Sequence, residues 1–178
     1  MQSLEISGDA YGIGRALGEA AADALREVVP RLARFRALEN EWAGSERLKA
    51  LLGAARTAYP EHVREIEGIA DGAGMDFDTV FLWNCRGDFP GGGDQQPAED
   101  AGCTTVMLPA RGDEPPIIAH NEDDQPELDG HCFLVRVRPD GGLPFTSFYS
   151  PGLLPGHTFG VNDAGLVQTI NHIRPHDQ

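Results

Sequence analysis

The sequence is poor in cysteine and contains no long apolar run. Its three cysteines, Cys85, Cys103 and Cys132, are odd in number and irregularly spaced, which argues against a disulfide framework and a paired CxxC metal site. No stretch reaches the roughly 18 consecutive apolar residues of a membrane span, and residues 1–9 lack the basic flank of a secretion signal. We therefore expect a cytoplasmic protein with free thiols.

Basic residues are scarce as well. The chain has 14 basic and 28 acidic residues, a formal net charge of −14, whereas nucleic acids and anionic membranes attract cationic surfaces. This balance predicts a well-solvated surface and excludes nucleic acid and membrane as expected partners. With 178 residues, of which 40% are apolar, the chain can bury one sizeable core.

Apolar periodicity predicts helices in the first half of the chain, residues 1–87. Residues 11–42 carry apolar side chains at intervals of three or four, and Pro30 is expected to kink or divide this helix. After a second helix, a third helix should begin at Pro60 and end at the pair Gly72 and Gly74. Asp76 should cap a short fourth helix. The helices that follow the first are predicted for 45–57, 60–72 and 76–83.

The second half has a different pattern. Residues 88–102 are rich in glycine, proline and acidic residues without apolar periodicity, which predicts a linker. Short apolar or alternating runs follow, separated by turn residues, and they predict strands. These runs are 104–108, 117–120, 132–137, 144–149 and 166–170.

A glycine-rich segment at residues 7–14 resembles the phosphate-binding loop of short-chain dehydrogenases. Only residues 4–6 precede it as a strand, and no second strand with an acidic ribose ligand follows. Those dehydrogenases also need a tyrosine four residues before a lysine, whereas Ser45 stands four residues before Lys49, the only lysine. An NAD(P)-dependent dehydrogenase is therefore the least favoured function, and the glycines indicate a turn and close packing.

Cys103 lies where the predicted linker meets the first strand of the second half, directly after Gly102. A cysteine at a strand start is either a small buried apolar residue or a nucleophile. If the Gly102–Cys103 peptide bond were cut, the new α-amino group, with a pKa of about 7.7 to 8.0, would be a base beside the thiol. Glycine before the cut tolerates the distorted backbone that self-cleavage demands.

Four segments carry a family resemblance. They are the Asp-Ala-Gly-Cys-Thr-Thr run at 100–105, the helical stretch 59–74, the Ala-His-Asn-Glu-Asp run at 119–123, and the segment 160–166 with the asparagine at 171. Together they resemble the acyl-coenzyme A:6-aminopenicillanate acyltransferase family of autoproteolytic cysteine hydrolases (peptidase C45). More distantly, they are similar to the choloylglycine and penicillin V hydrolases.

This resemblance implies an N-terminal-nucleophile enzyme cut between Gly102 and Cys103. Cys103 would be the nucleophile, and Asp123 would contact its new amino group. Asn171 would direct its amide into the site to stabilise the oxyanion of the intermediate. From the residues alone, Asp123 is equally explained as a turn-capping residue, and Asn171 is a strand-end turn residue.

Three further residues would support this site. Thr104 follows the nucleophile, Asn121 stands two residues before Asp123, and Asn162 fits a hairpin turn. His120 departs from the choloylglycine hydrolases, which carry arginine there, so their acidic or steroidal substrates are not expected.

The resemblance also implies the fold class, α+β. A helical N-terminal region, 1–87, and a linker, 88–102, would precede 103–178, the first part of an αββα four-layer sandwich. Family members continue beyond Gln178, and the later asparagine and arginine of their sites have no counterpart here. The remaining polypeptide or a second chain would therefore complete the fold, and a homo-oligomer is a further partner that the sequence leaves open.

The predicted function is amide hydrolysis or acyl transfer on a small-molecule amide or acyl donor. No cofactor is expected, and acyl-coenzyme A would be a substrate. The six histidines show no HExxH or comparable spacing, so no metal site is predicted. The alternative is a non-catalytic binding domain or an incomplete fragment of such an enzyme, in which the cysteine is structural.

Overall fold

A computed structural model describes residues 2–89 and 103–171 and shows an α+β fold. Five α-helices lie in the first described segment: α1 (Ala10–Ala20), α2 (Ala33–Trp42), α3 (Glu46–Ala58), α4 (Pro60–Ala73) and α5 (Phe77–Asn84). The strands are β1 (Gln2–Gly8), β2 (Thr104–Leu108), β3 (Ile117–Asn121), β4 (Phe133–Pro139), β5 (Phe145–Tyr149), β6 (Phe159–Asn162) and β7 (Val167–Thr169). None of the helices described has the length and apolar character that a membrane span requires.

The predicted boundaries of the second, third and fourth helices agree with α3, α4 and α5 to within about one residue, whereas the regular part of the first predicted helix ends at Ala20. Asp9, Ser45 and Asp76 each accept a main-chain N–H hydrogen bond at the start of α1, α3 and α5. Gly74 ends α4 in the left-handed conformation at φ 67°, which glycine adopts without steric cost. Pro30 divides the first predicted helix, since the chain passes through a π turn and a 3-10 turn before α2 begins.

The strands form a five-stranded sheet in the order β1-β4-β5-β6-β7 and a separate two-stranded sheet of β2 and β3. Strand β1 pairs in parallel with β4 along its whole length, and all other pairs are antiparallel. The sequence indicated only residues 4–6 as extended in the N-terminal region. The N-terminal region therefore supplies one strand, β1, to the sheet formed by the second half of the chain. Strand β6 is a further strand, which the sequence pattern predicted only as part of a hairpin turn.

Helices α1 and α4 pack with their backbones in contact, and glycines make this possible. A Cβ atom on Gly14 would lie 1.9 Å from the main-chain oxygen of Glu65, and one on Gly18 would lie 2.2 Å from that of Ile69. The contact is reciprocal, because Gly68 on α4 would meet the main chain of α1 in the same way. The glycines of the 7–14 segment thus serve a turn and close packing, as predicted.

Helix α5 anchors the helical layer to the loop after β5. The Trp83 indole donates to the carbonyl oxygen of Pro151 at 3.2 Å, and the Asn84 amide donates to that of Gly152 at 2.7 Å. The chain beyond α5 remains packed, because Phe89 is buried and its ring lies 5.0 Å from that of Trp42. The rest of the predicted linker, 90–102, lies outside the described residues.

Candidate active site

The hairpin of β2 and β3 positions the candidate site. Its register pairs Thr105 with His120, and continuing that register past the strand end places Cys103 opposite Glu122. Side chains alternate between the two faces of a strand, so these four residues share one face of the hairpin. The site is therefore built from two consecutive cross-strand pairs.

The thiol of Cys103 contacts a carboxylate. Its Sγ donates to Glu122 Oε2 at 3.3 Å, and His120 Nε2 lies 3.3 Å from the same oxygen. The His120 side chain is only 3% exposed and that of Glu122 is 20% exposed. Because water is largely excluded, the carboxylate, imidazole and thiol interact more strongly than they would at an open surface.

Thr105 connects this cluster to the end of β7. Its Oγ1 lies 3.0 Å from His120 Nδ1 and 3.1 Å from Thr169 Oγ1, and it donates to Asn171 Oδ1 at 2.8 Å. Asn171 in turn donates from Nδ2 to the main-chain oxygen of Cys103 at 2.6 Å. The amide of Asn171 thereby joins the segment after β7 to the residue before β2.

These contacts orient the ring of His120. The single hydroxyl proton of Thr105 has three acceptors within reach, namely Asn171 Oδ1, Thr169 Oγ1 and His120 Nδ1. On the other side of the ring, Nε2 faces Glu122, and a proton on Nε2 can be donated to that carboxylate. The carboxylate oxygen of Glu122 consequently faces both the thiol and the imidazole Nε2.

A half-buried arginine, Arg86, lies in the field of the same carboxylates. Burial, followed by the charge of Arg34, lowers the pKa of Arg86 to about 10, while Asp124 and Glu122 act in the opposite direction. Its guanidinium lies over the Trp83 ring, 5.0 Å from the ring centroid. Arg86 therefore brings positive charge to a cluster that is otherwise acidic.

An apolar cavity of about 570 Å³ opens beside the site. Strands β3 to β7 all contribute to its lining, with Ile118, Leu134, Phe159 and Val167 among the apolar residues. His120 and Thr169 line it as well and connect it to the hydrogen-bonded cluster. Its volume lies within the range of small-molecule pockets.

The structure brings two of the predicted residues together, Cys103 and Asn171, through the hydrogen bond between them. Asp123 accepts a hydrogen bond of 2.7 Å from Asn121 Nδ2. Asn162 caps the β6–β7 turn, because its Oδ1 accepts from the main chain of the turn at 3.1 Å and 3.0 Å. The catalytic roles of these residues remain predictions.

Thr104 is exposed at the start of β2, with Asn121 opposite it in the register. Gly102, the residue before the predicted cut, lies outside the described residues. The supporting role of Thr104 and the cut after Gly102 also remain predictions.

Sequence reasoning gave no role in the site to Glu122, His120 and Thr105. The signal was present, because His120 and Glu122 stand two residues apart and so project to the same face of a strand. Thr105 stands two residues after Cys103 in the same way. Strand alternation therefore groups these residues in pairs, and the hairpin register brings the two pairs to one face.

The cluster also has the composition of a metal site. Cys103, His120 and Glu122 each offer one ligand atom, and these atoms lie within 4.8 Å of one another. The prediction that no metal site exists considered spacing along the sequence, where ligands on adjacent strands are not recognisable. Thiolate, imidazole and carboxylate are the ligand types that bind zinc.

Comparisons with known proteins agree with the sequence resemblance. Residues 110–178 match the family model described as acyl-coenzyme A:6-aminopenicillanic acid acyl-transferase. A beta-alanyl-dopamine/carcinine hydrolase of Drosophila melanogaster is 28% identical over 176 residues, which cover 92% of this chain and 45% of that relative. The chain thus spans less than half the length of this curated relative. The predicted resemblance is confirmed, since residues 110–178 are similar to the acyl-coenzyme A:6-aminopenicillanic acid acyl-transferase family.

Proposed function

We propose that this protein is an amide hydrolase or acyltransferase that activates itself by cleaving the Gly102–Cys103 bond and then uses Cys103 as its nucleophile. The observation that carries the proposal is the hydrogen bond from the Cys103 thiol to Glu122. A thiol becomes nucleophilic when it loses its proton, and a carboxylate within hydrogen-bonding distance can accept that proton. The matches to an acyl-transferase family and to a carcinine hydrolase support the reaction class.

Self-cleavage requires a base that exists before the new amino group does. In the proposed step, Glu122 takes the proton from Cys103 Sγ, and the thiolate attacks the carbonyl carbon of Gly102. The carbon–nitrogen bond then breaks, and the departing nitrogen of Cys103 takes up a proton to become an amine. Water hydrolyses the resulting thioester, which releases the carboxylate of Gly102 and restores the thiol. His120 holds the Glu122 carboxylate in place throughout.

Turnover would then use the freed amine of Cys103 as the base. Asp123 is the residue we assign to hold this amine, as the family resemblance implies. The Asn171 amide carries two protons, of which one bonds the main-chain oxygen of Cys103. We assign the second proton to the oxyanion, where such a donor contributes about 100-fold or more to the rate. The acyl group passes from the leaving amine to sulfur, and then to water or to a second amine.

The cavity and the relative both support a substrate class. The hydrolase from Drosophila acts, by its name, on beta-alanyl-dopamine and carcinine. We propose a small linear amide for this chain, with its less polar part in the 570 Å³ cavity beside His120. A small-molecule acyl donor fits the same cavity, and no cofactor enters the proposed steps.

Intact mass of the purified protein tests the proposal. Self-cleavage produces fragments of 102 and 76 residues from the chain of 178. Cys103→Ala should remain one unbroken species without amide turnover, while Cys132→Ala, which alters a half-buried thiol elsewhere, should be cut like the wild type. An unbroken wild-type chain that binds small amides would support the alternative of a non-catalytic binding domain.

A further inference from the structure

We infer that Cys103, His120 and Glu122 form an inhibitory site for a divalent transition metal, of which zinc is the best match. The inhibition of self-cleavage rests on the proposed function, whereas binding of the ion does not. The three ligand atoms come from β3 and from the residues that adjoin β2 and β3, so hairpin pairing alone brings them together. Nothing in the family resemblance suggested this group.

The spacing of the ligand atoms fits one ion. Glu122 Oε2 lies 3.3 Å from both Cys103 Sγ and His120 Nε2, and all three ligand atoms lie within 4.8 Å of one another. Zinc binds nitrogen and oxygen at about 2.0 Å and sulfur at about 2.3 Å, which separates tetrahedral neighbours by roughly 3.3 to 3.6 Å. Small side-chain rotations are therefore enough to admit the ion, and water can fill the fourth position.

The hydrogen bonds around His120 prepare it as a ligand. His120 Nδ1 lies 3.0 Å from the Thr105 hydroxyl, and such a contact behind a metal-binding histidine fixes its ring orientation. The remaining ring nitrogen, Nε2, then faces the Glu122 carboxylate. A zinc ion between these two atoms would replace the proton that bridges them when no metal is bound.

Binding of the ion would make the Cys103 thiol unable to act as a nucleophile. The thiol releases its proton to solvent, its sulfur bonds the metal, and Glu122 is occupied as a ligand. Neither the base nor the nucleophile of the proposed self-cleavage remains available. Removal of the metal would start processing of the chain.

Cobalt(II) is the probe for this site, because a bond between cobalt and thiolate gives a charge-transfer absorption that carboxylate or imidazole alone does not. We expect full-length protein, stripped of metal and titrated before it is cut, to develop this band with one Co²⁺ per chain, and Zn²⁺ to abolish it. Cys103→Ala should lose the band, and Glu122→Gln should weaken Co²⁺ binding at least tenfold. Cys132→Ala is the matched control and should keep the full band.

The same samples show how the metal affects the rate of self-cleavage. We expect Zn²⁺ to slow formation of the 76-residue fragment at least tenfold, and a chelator to restore the rate. A charge-transfer band in a chain that never cleaves itself would establish the metal site and overturn the proposed function. Cleavage without any band, or a band that survives in Cys103→Ala, would overturn the metal site and leave the proposed function intact.

Discussion

The side-chain amide of Asn171 donates a hydrogen bond of 2.6 Å to the main-chain oxygen of Cys103, 68 residues earlier in the chain. This bond joins the end of the five-stranded sheet to the start of the two-stranded one. The oxygen of the same Asn171 amide, Oδ1, accepts a hydrogen bond from Thr105, so both ends of the amide are engaged in the cluster. The position of the proposed nucleophile therefore depends on a residue that follows the last strand of the other sheet.

Replacing Asn171 with alanine should impair both self-cleavage and turnover. The change removes the hydrogen bond to Cys103 and the donor we assign to the oxyanion, so we expect a loss of about 100-fold in rate. The rate of formation of the 76-residue fragment measures the effect. Gln168→Ala is the control on β7, since that amide donates to Gly156 in an exposed contact. Rates within twofold of wild type for Asn171→Ala would contradict the assigned role.

Thr105→Val tests the hydroxyl that connects His120 to Asn171. Valine has nearly the same shape but leaves His120 Nδ1 and Asn171 Oδ1 without their hydroxyl partner, and each such loss costs about 1–3 kcal/mol where the group is buried. We expect a lower free energy of unfolding in urea and slower self-cleavage. Thr105→Ser keeps the hydroxyl and should restore the self-cleavage rate. Equal rates for the valine and serine variants would show that the hydroxyl has no positioning role.

Some residues of the candidate site could be predicted from the sequence, and others could not. Cys103 was proposed from its position and from the family resemblance, and Asn171 from the resemblance alone; the structure places the two in one hydrogen bond. Glu122 was passed over, since a run of three acidic residues at 122–124 gives no indication of which one meets the thiol. Only strand register decides that, and register is set by pairing between β2 and β3.

Local signals predicted the helices well because caps and prolines act within a few residues. Strand β1 was predicted too short, because its pairing depends on residues far away in the sequence. Its partner, β4, begins at Phe133, far along the chain, and no local pattern in residues 2–8 indicates that pairing. The domain boundaries at 87 and 102 remain predictions, as does the four-layer sandwich.

The contact between α1 and α4 predicts a large effect of a small substitution. Gly14→Ala would place a Cβ 1.9 Å from the main-chain oxygen of Glu65, so the helices must separate. We expect destabilisation of about 1–3 kcal/mol or more, as for other overpacked cores. Gly53→Ala in α3 is the matched control, because no atom lies within 4 Å of its added Cβ. Alanine there should stabilise by about 1 kcal/mol through helix propensity.

Urea denaturation of the two glycine variants measures both effects. The prediction fails if Gly14→Ala is as stable as Gly53→Ala. Such a result would mean that the close approach of the helices does not contribute to folding.

Glu65 makes the stability of the fold depend on pH. Burial raises the pKa of its carboxyl from 4.5 to about 7, and its Oε1 has no hydrogen-bond partner in the described part of the chain. The folded protein therefore holds this proton over a pH range in which the unfolded chain has released it. The protonated Glu65 carboxyl makes its full contribution to the free energy of unfolding below pH 4.5, and this contribution is lost as the pH rises to about 7.

Glu65→Gln should remove this dependence, since glutamine stays neutral throughout. The shift corresponds to about 3 kcal/mol, so the variant should gain stability relative to wild type as the pH is raised from 5 to 8, up to about that amount. Glu67→Gln, on the same helix but paired with Arg56 at the surface, should follow the wild-type curve. The free energy of unfolding in urea at each pH gives the comparison. A constant difference between Glu65→Gln and wild type across this range would show that the carboxyl is ionised in the folded protein, because only a retained proton produces the slope.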